Sequence, residues 1–362
     1  MTISENLFNE NISNWEMVRE GNGAGMDISD ARVLEISKNT FTANKAGGHG
    51  GAIHAQSLIG EAKSDPYEEM PEEMQGKCTQ IIVNGNIFRQ NIAREHAAAA
   101  FLGNFHTYCR IFAVNNLVVE NTATVVPSGG FTIAGHAAYL LNCTFKGNIS
   151  PSTGHSISFD YIPAYFVTLR MVNCIVHNGD DPPTSGLVSA DSPTILYSDI
   201  QGIDPNTELH IINDNPRYSD NYGRLWPYGA GGDQDPSPCI DAGTQYVDDP
   251  DTTGEGWVET LASIDVRGND RILAGQSGGS QIVDMGAFEM MTYTQQEEHI
   301  WPVPGDADWN CTINILDLIV IRNLLNQSPS VGTNWKKDVN QDGKINILDL
   351  IYVRNHLGLH CD

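Results

Sequence analysis

NIFRQN, residues 86–91, is answered 30 residues later by NLVVEN, residues 116–121. Each opens on asparagine, carries an apolar residue two positions on, and closes on asparagine five positions on. The same scheme runs through Asn6–Phe8–Asn11, Asn39–Phe41–Asn44, Cys143–Phe145–Asn148 and Cys174–Val176–Gly179, with a weaker copy at Ser198–Ile200. The anchors are separated by 33, 47, 30, 27, 31 and 24 residues. A period in this range marks a stack of similar units, each too small to bury its own apolar face. The long interval before Asn86 is assigned to an acidic insert, EAKSDPYEEMPEEMQGK (61–77), expected to leave the stack as a surface loop.

Around the anchors the texture is that of short strands. Alternating runs such as VLEI (33–36), IIV (81–83), IFAV (111–114) and YFVTLRMV (165–172) precede most of them. Small-residue runs follow about a dozen residues later: GAGMDI (23–28), GGAIHA (50–55), GGFTIA (129–134), HSISF (155–159) and SGLVSA (185–190). Alternation with period two gives half-buried strands, and Gly or Asn between them permits tight corners. Two or three short strands per turn then coil into a right-handed parallel β-helix, assigned to residues 1–204. Residues 205–290 are expected to cap its open end, and 291–304 to be a linker.

Composition narrows the function. With 45 acidic and 20 basic side chains among 362 residues, the formal charge is −25, which repels a phosphate backbone and argues against nucleic-acid binding. No run of 18 apolar residues occurs, so no membrane span is expected. Seven cysteines without a CxxC pair indicate neither a zinc site nor a dense disulfide framework. MTISENLFNENIS (1–13) starts in mid-pattern without the basic and apolar run of a secretory leader, so a truncated amino terminus is expected.

The tail, 305–362, is a different object. DADWNCTINILD (306–317) and DVNQDGKINILD (338–349) each fit a twelve-residue calcium loop, lying 32 residues apart. Calcium takes six to eight oxygens, supplied from loop positions 1, 3, 5, 7, 9 and 12. In the first loop these are Asp306, Asp308, Asn310, the Thr312 carbonyl, Asn314 and Asp317. In the second they are Asp338, Asn340, Asp342, the Lys344 carbonyl, Asn346 and Asp349. Two calcium ions are expected. Gly343 meets the requirement for a sharp turn at position 6, whereas Cys311 does not, so the first loop is the more strained. Ile313 and Ile345 at position 8 are expected to bridge the loops. ILDLIVIRNLL and ILDLIYVRNHL follow as short amphipathic helices.

This duplicated loop–helix, with Asp at position 12, resembles a type I dockerin. The resemblance implies two calcium-loaded repeats packed as a pseudo-twofold pair, a cohesin-type partner, and an extracellular or cell-surface setting. It assigns recognition to Ile315, Leu316 and Arg322 in one repeat and to Ile347, Leu348 and Arg354 in the other. The family often carries small hydroxyl residues where this chain has the apolar pairs. Because both repeats carry the same triplet, docking in two orientations is expected. The arrangement also implies that Cys311 approaches Cys361, where a disulfide is one of two open states.

The coil's repeats resemble those of secreted or surface β-helix proteins, including pectin- and alginate-acting enzymes and adhesin-like proteins. Two roles follow: binding polysaccharide or surface material, or acting as a polysaccharide lyase or glycoside hydrolase in polysaccharide catabolism. Asp27 and His54 fall at one place in successive rungs and form a candidate acid–base pair. Polygalacturonase-like hydrolases carry an Asp pair and a GHG turn, similar to Asp180–Asp181 and Gly48–His49–Gly50, here in reversed order. Arg170, His177 and Asp180 are the nearest approach to a lyase cluster. Cys143 and Cys174 share a slot and are read as stacked buried thiols, while Cys78 and Cys109 are a possible pair. No catalytic cluster stands out.

Overall fold

The asparagines that open and close each repeat do one job. In the computed structural model they stack into two continuous ladders. The structure describes residues 1–13, 21–29, 33–56, 79–95, 97–103, 109–125, 128–134, 137–150, 155–159, 168–178, 188–189, 194–219, 223–225, 236–244, 265–267, 271, 282–290, 307, 313–326, 339 and 344–358. The chain divides into two compact units, Met1–Tyr293 and Thr294–Asp362. The first is a parallel β-helix, mainly β; the second is small and helical.

Four parallel sheets of seven, eight, four and six strands form the walls of the coil among the described residues. The second rung shows the pattern: Val33–Ser37, Thr40–Thr42, Lys45–Ala46 and Ile53–Gln56 contribute one strand to each sheet. Four strands per turn exceed the two or three expected. The fourth wall is the set of small-residue runs, joined by Ala100–Gly103, which its alanines disguise as helix.

Register makes the core. In the first sheet Ile3, Ile36, Val83, Ala113, Leu140, Met171 and Ile195 fall in one inward column. In the second, Phe8, Phe41, Phe88, Val118, Phe145, Val176 and Ile200 do the same. Phe8, Phe41 and Phe88 stack face to face with centroids 4.7 and 5.1 Å apart. At the fourth rung valine leaves a gap, and Phe131 from the opposite wall fills it edge-on, 5.4 Å from Phe88 and 5.2 Å from Phe145. Each fully buried phenylalanine contributes about 1.5–3 kcal/mol by desolvation, and each ring pair about 0.5–1.5 kcal/mol more.

The ladders hold the corners. Asn39 donates its backbone N–H and its amide to Asn86 Oδ1 at 2.9 and 3.1 Å, and also bonds the Ile3 carbonyl at 2.9 Å. Asn86 repeats this onto Asn116, and the chain of bonds passes to Cys143, Cys174 and Ser198. The second ladder runs Asn11, Asn44, Asn91, Asn121, Asn148, Asn178 and Gln201. Its sixth member is Asn178, one residue before the expected Gly179, because the corner after Ile175–His177 is a residue shorter.

Left-handed backbone falls on the residue before each ladder asparagine except Asn178, rather than on the asparagine. Glu5, Lys38, Glu10, Ala43, Gln90 and Glu120 hold φ between 53° and 58° without being glycine. A left-handed non-glycine residue costs about 1–2 kcal/mol. It persists here because the bonds on either side over-determine the turn. Cys143 and Cys174 are buried as separate thiols, as their shared slot indicated. Cys78 and the insert 61–77 lie outside the described residues, as does linker 291–304.

The closing segment packs on two parts of the coil. Ile203 and Ile211 pack on the main core, and Ile211–Ile212 is the last strand of the second sheet. The later residues turn back along the coil's flank. Leu225, Ile240, Met285, Ala287 and Phe288 cover outward-facing Leu117, Val119 and Ile175. Ala287 donates its N–H to Thr144 Oγ1 at 2.8 Å, and Gly286 donates to the Asn173 carbonyl at 2.7 Å. Arg271, 1% exposed, donates to Asn115 Oδ1 through Nε at 3.1 Å and Nη2 at 3.0 Å, and faces Glu289 at 3.9 Å. Asn115, Asn142 and Asn173, the left-handed residues that precede the anchors of three successive rungs, are therefore strapped from outside.

Buried acids line this strap. Asp284 accepts N–H bonds from Asp241 at 2.7 Å and Met290 at 2.6 Å, yet burial pushes its carboxyl up to about 8. Asp199 accepts the Cys239 thiol at 3.3 Å and the Asp214 N–H at 3.2 Å, and burial raises it to about 7.

Candidate functional site

In the tail, each loop hands over to its helix through an asparagine. The helices are α1 (Ile315–Arg322) and α2 (Ile347–Asn355). Asn314 and Asn346 take the same extended backbone, φ −144° and ψ −169°, and their side chains accept the N–H of Leu316 at 2.8 Å and Leu348 at 2.7 Å. Asp317 and Asp349 close the capping boxes, each accepting the N–H of its capping asparagine at 2.8 Å. Such reciprocal caps satisfy donors that a helix start leaves open. Arg322 and Arg354 stand in the last turns, where the helix dipole favours a cation.

The metal donors fit this frame. Both position-12 carboxylates, Asp317 and Asp349, are fully buried in a module whose described core is Ala307, Ile313, Ile321, Ile345 and Val353 with a few half-buried neighbours. Burying an anionic carboxylate beside so small a core is costly without a compensating cation, and these donors are oxygens of the hard kind that calcium takes. Of the other expected ligands, Asn314, Lys344 and Asn346 are among the described residues. Asp306, Asp308, Asn310, Cys311, Thr312, Asp338, Asn340, Asp342, Gly343 and Cys361 lie outside the described residues.

The repeats are locked crosswise. Asn326, past α1, donates its N–H to the Ile345 carbonyl at 2.8 Å; Gly358, past α2, donates to the Ile313 carbonyl at 2.9 Å. Each position-8 isoleucine is thus bonded to the end of the opposite repeat, and both side chains share the core. This places two equivalent surfaces on the module. Ile315 and Leu316 are 63% and 50% exposed, and Ile347 and Leu348 are 60% and 51% exposed. Ile319 and Ile351, missed in the sequence, extend each surface one turn along the helix toward exposed Arg322 and Arg354. Their helical spacing does not distinguish them from core positions of an amphipathic helix; their exposure does.

Residues 304–358 match the family model described as the dockerin type I domain. The tail is a type I dockerin. No curated protein and no solved structure is significantly similar to the chain. A type I dockerin brings calcium binding and implies a cohesin partner.

On the coil, the structure joins Asp27 and His54. They are paired in register on neighbouring strands of the fourth sheet, and His54 Nδ1 lies 2.8 Å from Asp27 Oδ1. Asp27 is about half exposed, whereas the imidazole is 8% exposed. A second pair adjoins: His49, held by Asn22 through its backbone N–H at 2.9 Å, places Nε2 3.5 Å from Glu95. The two imidazole centroids are 6.1 Å apart, and each lies 5.3 Å from Phe101. His49 belongs to the Gly48–His49–Gly50 turn, whose Gly50 has φ 63° and packs where a Cβ would strike the Ile53 carbonyl. Arg170 and His177 stand on different sheets, and Asp180 and Asp181 lie outside the described residues. No group of three or more His, Cys, Asp or Glu suited to a metal occurs among the described residues.

Proposed function

We propose that the dockerin, with one calcium ion in each loop, docks this protein onto a cohesin-type domain outside the cell, while the coil holds polysaccharide or other surface material. The observation that carries the docking half is the pair of exposed Ile–Leu–Arg triplets, set in matching capped helices. Apolar side chains so exposed and clustered on one helix face mark an interaction surface. A partner that covers one triplet meets the same chemistry after a half-turn of the module, so two docking orientations follow. The coil half is supported by its long regular walls and by the resemblance of its repeats.

A second reading, in which the coil is a lyase or hydrolase of polysaccharide catabolism, draws support from the Asp27–His54 bond. A carboxylate-oriented imidazole is a competent general base.

The docking half is tested by calorimetry with a cohesin-type domain and three variants: Ile315, Leu316 and Arg322 changed to alanine, the matching change at Ile347, Leu348 and Arg354, and both. Either single set should weaken binding by no more than about threefold, and the combined set should abolish it. Complete loss from one set would rule out two-way docking. Full affinity with both sets changed would remove the surface from the account.

A further inference from the structure

The Asp27–His54 pair offers something more definite than a general capacity for proton transfer. A carboxylate only accepts, so the 2.8 Å contact requires the proton on His54 Nδ1. In the neutral imidazole this leaves a lone pair on Nε2. That nitrogen makes no hydrogen bond to any described residue, although the ring is wedged against Phe101 and braced by His49. The acceptor is held rigid and has no partner from the described wall.

Its surroundings are polar along two rungs. Two positions further on the same strands, and therefore on the same outward face, stand Ser29, exposed, and Gln56, half-buried; they are paired in register as Asp27 and His54 are. The four side chains form a grid of roughly 4.8 Å between rungs and about 6.6 Å along the strand. The charge beside it is negative, from Asp27 and Glu95, within a chain of formal charge −25. Such a field disfavours polyanions.

We infer that the outward face carrying Asp27, Ser29, His54 and Gln56 is a binding site for a neutral, hydroxyl-rich glycan chain, with His54 Nε2 accepting a sugar hydroxyl. The inference rests on the reading of the coil as a polysaccharide-binding module and narrows it in place and in ligand class. Asp27 acts twice, fixing the tautomer of His54 through one oxygen and presenting an exposed carboxylate to the ligand. Glycans built of uronates are excluded by charge rather than by shape.

The test uses the full chain with calcium, in affinity electrophoresis through gels containing xylan, β-glucan or mannan, and in parallel polygalacturonate or alginate. The variants are His54→Phe, which keeps the ring packing and removes both nitrogens, and Asp27→Asn on an exposed side chain; thermal melting checks their fold. Retardation by a neutral glycan is expected, weakened at least tenfold by His54→Phe and about threefold or more by Asp27→Asn, with no retardation by the uronate polymers. Neutral-glycan binding that both variants retain would overturn the site and leave the polysaccharide reading standing. Preference for the uronate polymers would overturn the ligand class. Failure to bind any of them would count against the polysaccharide reading itself, and this proposal would go with it.

Discussion

Replacing Asn121 by alanine probes what holds the coil upright. Asn121 is fully buried; its Oδ1 accepts both the backbone N–H and the amide of Asn91 at 2.9 Å, and its own amide donates to the Phe88 carbonyl at 3.0 Å and Asn148 Oδ1 at 2.9 Å. The alanine variant keeps the backbone but takes the side-chain partner from the Asn91 N–H and the Phe88 carbonyl. A buried polar group deprived of its partner costs about 1–3 kcal/mol, so the two together imply about 2–6 kcal/mol. The left-handed Glu120 also loses its support. Asn6→Ala, at the exposed first rung, removes only the amide's bonds to Ser4 and Asn39 and should cost under about 1 kcal/mol. Urea unfolding followed by far-ultraviolet circular dichroism compares the two. If Asn121→Ala unfolds at the same urea concentration as Asn6→Ala, the ladder is ornament and the corners are held by something else.

Three other perturbations address the strap and the dockerin. Arg271→Ala leaves Glu289 buried beside a missing guanidinium, and breaking a buried pair in this way costs about 3–5 kcal/mol, readable as a lower urea midpoint of the coil; an unchanged midpoint would show the strap to be dispensable. Asp199 and Asp284, raised to about 7 and about 8, bind protons in the folded state that the unfolded chain has released. Their contribution is therefore whole below about pH 4 and is lost as pH rises toward 7 and 8, at roughly 1 kcal/mol per pH unit for each. Asp199→Asn should flatten that decline relative to the parent, and parallel pH profiles would contradict it. Chelation should melt the dockerin and abolish cohesin binding while the coil's own transition stays in place; a tail whose melting ignores chelator does not depend on calcium.

The coil was legible because its units repeat: Asn86, Asn116 and Phe88 could be aligned before any geometry was known, and they stack as aligned. The dockerin was legible because its duplicated loop pattern is a local property of the sequence. What escaped was non-local or irregular. Arg271 reaches Asn115 across 156 residues, and nothing in either neighbourhood announces the contact. Ala100–Gly103 hid as a strand because alanine carries helix propensity, which rung pairing overrides. Glu120 at φ 56° defeats the rule that such corners go to glycine, since the ladder and not the residue sets the conformation. At the proposed docking face, Ile319 has the same spacing as a core position and differs in being exposed.

The flank strap also bears on how such a coil can grow or shrink in evolution. Rungs that offer one another identical faces are interchangeable, so duplication or excision of a whole turn leaves the ladder's grammar intact. The strap ends that freedom over the turns it crosses, because its contacts to Asn115, Asn142 and Asn173 are set at fixed intervals. It works as a ruler laid against the stack. Length variation among descendants of this chain should accumulate in the turns before Asn115, where no ruler lies among the described residues.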